Sequence, residues 1–239
     1  MTVNDNDLRL TKKQQTKIVD ELIGKSRPSS PYNMLLFSSA IIIASGLLMD
    51  NMAIVIGGML VTPLLTPVLS LALGVSVGEM QLVARSFRIT LTSLAIVVIL
   101  GTVFGMLFQI DLVKNVVLNQ VIRSGSEIPI LYMIVALTAG GIGTFAWVNE
   151  DIHESLPGIV IAVSLFPPLS ALGIGLGLAS FDLMRNAFLI FILNLGGIFF
   201  GSLVAFNFMN FYRAKSEAHK QILIEEKEEE QKKKDNGKK

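Results

Sequence analysis

The chain has 239 residues, 51% of them hydrophobic, with 20 Lys and Arg against 19 Asp and Glu and a net charge of +1. The charges crowd into residues 1–27 and 213–239, and those between leave six charge-free runs at 28–49, 51–78, 89–110, 128–149, 155–181 and 186–212. A bilayer-spanning helix needs about 20 mostly apolar residues, and soluble domains rarely reach that length without a charge. A soluble globular enzyme and a nucleic-acid-binding module are therefore excluded.

The chain has no cysteine, which removes disulfides, thiolate metal sites and Cys nucleophiles. Its polar start, with Asn4, Asp5, Asn6 and Asp7, lacks the apolar core of a signal peptide. Residues 8–23 set Leu10, Ile18, Val19, Leu22 and Ile23 among Lys and Gln, the pattern of a short amphipathic helix lying at the cytoplasmic surface. Ser26 to Pro31 then reads as a linker, closing an N-terminal tail of residues 1–31.

The first span is expected at about Tyr32–Met49, with a very tight turn at Asp50-Asn51. The second hydrophobic segment, Met52–Gly78, contains Pro63 and Pro67, and Glu79, Arg85 and Arg88 mark the next water-facing connection. Ile89–Gln109 is the third span and closes a first membrane unit over 32–109. A connecting segment, 110–129, carries Val113, Val116, Val117, Val121 and Ile122 and reads as a half-buried interfacial helix. The second unit covers 130–211: a fourth span at Ile130–Asn149, an acidic turn, a fifth segment Ser155–Phe181 holding Pro167-Pro168, a turn at Asp182 and Arg185, and a sixth span from Ala187. Residues 212–239 form a charged tail.

The fold class expected is an all-α integral membrane protein with about six transmembrane segments. Lys and Arg near the span ends place both tails in the cytoplasm of a cell (inner or plasma) membrane, although the acidic Glu150–Glu154 turn adds nothing to that orientation.

The two halves correspond at a shift of 100 residues: Asp50-Asn51 meets Glu150-Asp151, Gly58 meets Gly158, Pro67 meets Pro167, Leu69-Ser70 meets Leu169-Ser170, Arg85 meets Arg185 and Gly101 meets Gly201. Each unit holds three spans. Two tandem odd units enter the membrane in opposite directions, so the expectation is two inverted repeats, each with a Pro-broken second helix.

The breaks carry the candidate chemistry. Proline removes an N–H and clashes with the carbonyl four residues back, and the backbone groups it frees cannot face lipid. The bland alternative is a kinked helix whose loose groups are satisfied by nearby hydroxyls. Thr62, Thr66 and Ser70 are four apart and share a face where the backbone is helical. Ser164 and Ser170 flank Pro167-Pro168, and Asn194 lies inside the sixth span. A lone hydroxyl in a membrane helix is most often bonded back to its own helix; a mid-membrane amide either clamps two helices or contacts a ligand. No run contains a charged side chain, so an ion would be held by carbonyls, hydroxyls, Asn194 or helix ends. Gly101 with Gly105 and Gly197 with Gly201 permit close packing, within the chain or in a homo-oligomer. His153 and His219 form no metal or catalytic spacing.

Gly58 to Pro67, continuing through Leu73-Gly74 to Arg85, resembles the signature of a prokaryotic membrane family known as an uncharacterised hydrophobic domain, a domain of unknown function. Leu156 to Leu169 is similar to its second signature, and Asn194-Leu195 matches a later Asn-Leu pair. The resemblance covers about residues 33–208 and implies a fold without a substrate. Some members carry an extra soluble domain, which is not expected within these 239 residues.

The expected function is a transporter or channel-like protein for a small solute or ion, with its site at Thr62, Pro63, Thr66, Pro67, Ser70, Ser164, Pro167, Pro168, Ser170 and Asn194. No metal, cofactor, catalytic activity or nucleic-acid partner is expected; the lipid bilayer is. The alternative is a non-transporting membrane scaffold or sensor acting through its charged tails.

Overall fold

The computed structural model describes residues 12–25, 28–108, 129–149, 165–209 and 211. Among these the chain is all helical. The elements are α1 (Lys12–Lys25), α2 (Ser30–Leu48), α3 (Met52–Val61), α4 (Leu65–Val77), α5 (Met80–Leu107), α6 (Pro129–Val148), α7 (Phe166–Gly177) and α8 (Phe181–Phe208). Four of them, α2, α5, α6 and α8, are long and apolar enough to cross a membrane, and α3 with α4 adds a fifth candidate as a bent pair. Their outer faces carry large apolar side chains such as Phe87, Leu91, Ile99, Ile134, Phe188 and Phe200, a surface that suits lipid rather than water. The connecting segment 110–128, the acidic turn, the first half of the fifth segment and the charged tail lie outside the described residues.

Local chemistry accounts for the boundaries. The Ser29 hydroxyl accepts from the Tyr32 N–H at 3.3 Å, and Pro31 sits in the first turn of α2, where its missing N–H costs nothing. The tight turn expected at Asp50-Asn51 is present. Asp50 adopts a left-handed φ of 54°, and Asn51 Oδ1 accepts from the N–H groups of Ala53 and Ile54 at 3.1 and 3.3 Å, capping α3.

α3 stops at Val61. Thr62 is extended (φ −70°, ψ 127°), as a residue before proline must be, and α4 resumes at Leu65 after a 53° bend. At about 1.5 Å per residue the 10 and 13 residues of the two halves join end to end over about 31 Å, close to the thickness of a bilayer core. Pro67 falls in the first turn of α4, and Pro167-Pro168 in the first turn of α7. These three prolines start helices; only Pro63 lies in an interruption.

The connections are shorter than expected. Glu79 lies in the turn, but Arg85 and Arg88 lie inside α5, which starts at Met80 and runs for 28 residues. Asp182 and Arg185 likewise lie in the first turns of α8, also 28 residues. Each helix is about 42 Å long against a core of about 30 Å, so it need not end where charges begin. The amphipathic helix turns its apolar stripe inward: Ile18, Val19, Leu22 and Ile23 are buried, with α1 packed on α4 and Lys17 left exposed.

The turn from α4 to α5 occurs a second time between α7 and α8. Gly78 (φ 71°) and Ala179 (φ 51°) both take the left-handed conformation. The N–H groups of Glu79 and Ser180 donate to Gly74 O and Gly175 O at 3.0 and 2.9 Å, and those of Val83 and Met184 donate to Glu79 O and Ser180 O, both at 3.1 Å. The backbone correspondence is thus a shift of 101, one residue from the sequence register of 100. Pro67 matches Pro168 and Gly74 matches Gly175, while Ser70 meets Ala171 and Arg85 meets Asn186.

The core is a ring. α4 packs on α5, α5 on α7, α7 on α8, and α8 back on α4. α2 lies outside against α3, α5 and α7, and α6 lies along α8. Glycine permits the two closest crossings: a Cβ at Gly101 would meet Ser170 O at 2.6 Å and Gly173 Cα at 3.1 Å, and one at Gly197 would meet Ala136 Cβ at 2.6 Å.

Candidate functional site

The ring brings the proline-bearing helices to opposite corners. Neither α4 nor α7 packs along the other; each lies against both α5 and α8. Both begin without a side-chain cap, at Leu64 and Leu165, so their first N–H groups and the positive ends of their dipoles start inside the apolar body of the protein.

The hydroxyls near the break divide by what they bond. Thr62 is half-buried and its Oγ1 donates back to Gly58 O at 3.1 Å, the intrahelical bond a membrane threonine usually makes. Thr90, Thr102 and Thr144 do the same with Ser86 O, Val98 O and Gly140 O. Thr66, one turn further, is half-buried and makes no side-chain hydrogen bond among the described residues. Ser70 is fully buried and donates outward to Leu22 O of α1 at 3.1 Å. Thr62 and Ser70 are therefore engaged by the protein's own carbonyls.

On α7, Ser170 is 0% exposed and its Oγ has no hydrogen-bond partner among the described residues. A lone buried hydroxyl costs about 1–3 kcal/mol. It lies on the same face as Gly173 and Gly177, the face that meets Gly101 and Gly105 of α5. Asn194 is 6% exposed, on the stripe of α8 that also carries Ile190, Gly197 and Gly201. Ser164 lies outside the described residues. The structure thus places Thr62, Thr66 and Ser70 along one broken segment, with Ser170 and Asn194 on the two helices beyond, and does not gather them into one cluster.

Sequence reasoning missed a second polar pair. Tyr32 Oη and Ser93 Oγ are 2.8 Å apart, buried, and tie α2 to α5. Ser93 matches Asn194 at the backbone shift of 101; a search keyed to prolines passes over it. Among the described residues no three His, Asp or Glu side chains converge as metal ligands. Chemically, the region offers hydroxyls, one amide and uncapped helix starts in apolar surroundings, which suits binding or passage of a small polar species.

A family model described as Domain of unknown function (DUF389) matches residues 59–200. That match spans the break, the ring and the Asn194 position. The chain is 28% identical over 219 residues to Uncharacterized protein MJ0678 of Methanocaldococcus jannaschii; the match covers 90% of this chain and 66% of that relative. The chain therefore spans just under two thirds of the relative's length. No solved structure matches it.

Proposed function

The chain belongs to the DUF389 family, and on that premise we propose that it is a membrane transporter or channel-like protein for a small solute or ion. The observation that carries this reading is the bend of 53° at Thr62–Leu64, inside a segment long enough to cross the bilayer core. Interrupted backbone is stable at membrane depth only where protein or a water-lined path receives its freed groups. The path runs between α4 and α7, bounded by α5 and α8. Thr66 and the helix starts beside Pro67, Pro167 and Pro168 border it, while Ser170 and Asn194 lie on the packed faces of α7 and α8 that hold its walls together.

The duplicated turn and the matched lengths of α5 and α8 support two repeated units. We read these as inverted three-span repeats in the cell membrane, both tails cytoplasmic.

The experiment is flux through purified protein in liposomes, offering chloride, potassium and glycerol in turn. Thr66→Val and Asn194→Leu should each lower flux about tenfold, the cost of removing one hydrogen-bonding group from a dry site. Flux that is present and insensitive to both changes rejects the site.

A second reading has its own support. Thr62 and Ser70 are already satisfied by Gly58 O and Leu22 O, as in a scaffold whose prolines only shape packing. Absence of flux for every solute, with loss of a captured partner on removing residues 213–239, would favour it.

A further inference from the structure

α1 differs from every other helix described. Its 14 residues hold four lysines against Asp20 and Glu21, a net basic charge. It packs on one helix, α4, and the contact is the slightest of the helix pairings described, whereas each ring helix packs on at least three others. Its apolar stripe is Ile18, Val19, Leu22 and Ile23, all buried. The opposite side carries exposed Lys17 and Gly24, and a Cβ at Gly24 would meet nothing within 4 Å.

A helix of this kind has two places to bury the same stripe. One is the groove on α4. The other is the headgroup boundary of a bilayer, where a basic amphipathic helix lies in the plane with its apolar face inward. Moving between them changes the apolar term little, since the four side chains leave water in both. Two smaller terms then decide. The α4 seat adds the Ser70 Oγ to Leu22 O bond at 3.1 Å. The bilayer seat adds attraction of the lysines to anionic lipid, which grows with the anionic fraction.

We propose that α1 is an exchangeable occupant of the α4 groove whose alternative partner is an anionic lipid surface, and that its departure uncovers the face of α4 that carries Thr66 and Ser70. While seated, α1 takes the hydroxyl of Ser70 with its own main chain and covers α4 one turn beyond Thr66. Once α1 moves to lipid, Ser70 and Thr66 face the same opened groove. The gating half rests on the transport reading above; the exchange of α1 between two seats does not.

Because the chain has no native cysteine, spin labels can be placed at Gly24→Cys and Gly57→Cys, both positions where an added Cβ meets nothing within 4 Å. The full chain is reconstituted in phosphatidylcholine vesicles and in equimolar phosphatidylcholine and phosphatidylglycerol. One distance is expected in the first and a second, longer population in the second. Ser70→Ala, which removes one hydrogen bond from the seat, should raise the ratio of unseated to seated α1 about fivefold. One unchanged distance in both lipid mixtures, with serine and with alanine at position 70, overturns the exchange. Flux measured on the same vesicles should rise with the anionic fraction. A distance shift with steady flux in both mixtures overturns the gating and leaves the exchange standing, whereas no flux of any solute in either mixture defeats the transport reading instead.

Discussion

Single positions carry two kinds of information in this protein. The first is conformational. Gly78 and Ala179 hold the same left-handed place in the two copies of one turn, yet only glycine does so without steric cost. The left-handed region costs other residues about 1–2 kcal/mol, against which glycine loses more unfolded-state freedom. Ala179→Gly is expected to stabilise the protein by about 0.5–1 kcal/mol, and Gly78→Ala to destabilise it by about 1 kcal/mol. Thermal unfolding in detergent reads both. The second kind is chemical. Thr62 and Thr66 look alike in the sequence, one turn apart beside prolines. Thr62 still has the carbonyl of Gly58 within reach at 3.1 Å because α3 is helical up to Val61. Thr66 follows the break, and the residue four before it is Thr62 itself, already out of the helix. Thr62→Val should therefore change flux far less than Thr66→Val.

At the scale of helices, the close crossings are the points of greatest sensitivity. A Cβ at Gly105 would lie 2.5 Å from Ile174 O and 3.1 Å from Gly177 Cα, backbone atoms that cannot swing away. Gly105→Leu is expected to cost about 3 kcal/mol, at the upper end of overpacking penalties, and to separate α5 from α7. Loss of a cooperative melting transition, with helix content retained by circular dichroism, is the readout. These crossings were legible beforehand, because glycines four apart in an apolar run have few other uses. The helix starts were not. Arg85 and Arg88 interrupt the hydrophobic run, and Asp182 and Arg185 interrupt its counterpart, but a helix persists past the edge of the bilayer as long as its backbone is bonded. The seating of α1 was illegible for another reason: an amphipathic stripe states that four residues seek an apolar surface, not which surface they find.

Across the whole molecule, the ring of α4, α5, α7 and α8 follows from a principle stronger than side-chain identity. α5 and α8 bury one face and present large apolar residues outward, whereas α4 and α7 are buried nearly all round, so neighbours are chosen by the shape of small-residue grooves. The architecture as an all-helical set of membrane-length segments was readable from charge-free runs alone. The correspondence of the two turns was readable only to within one residue, because Pro67 meets the first of two adjacent prolines as easily as the second. Backbone bonds separate the two registers where side chains did not. The reading of both tails as cytoplasmic predicts that Thr2→Cys and Lys239→Cys react with an impermeant maleimide from the same side of intact and of inverted vesicles. Labelling from opposite faces would require an odd number of crossings and would leave α3 and α4 as an excursion into one leaflet.

The duplicated turn is a transplantable unit. Residues Gly74–Val83 and Gly175–Met184 have the same length, the same bonded backbone and almost no shared side chains. A hinge conserved in hydrogen bonds and free in sequence is a modular joint. Grafting Gly175–Met184 in place of Gly74–Val83 should give a folded chimera, while shifting the graft by one residue, as the prolines alone would dictate, should put the left-handed position on the wrong residue and fail to fold.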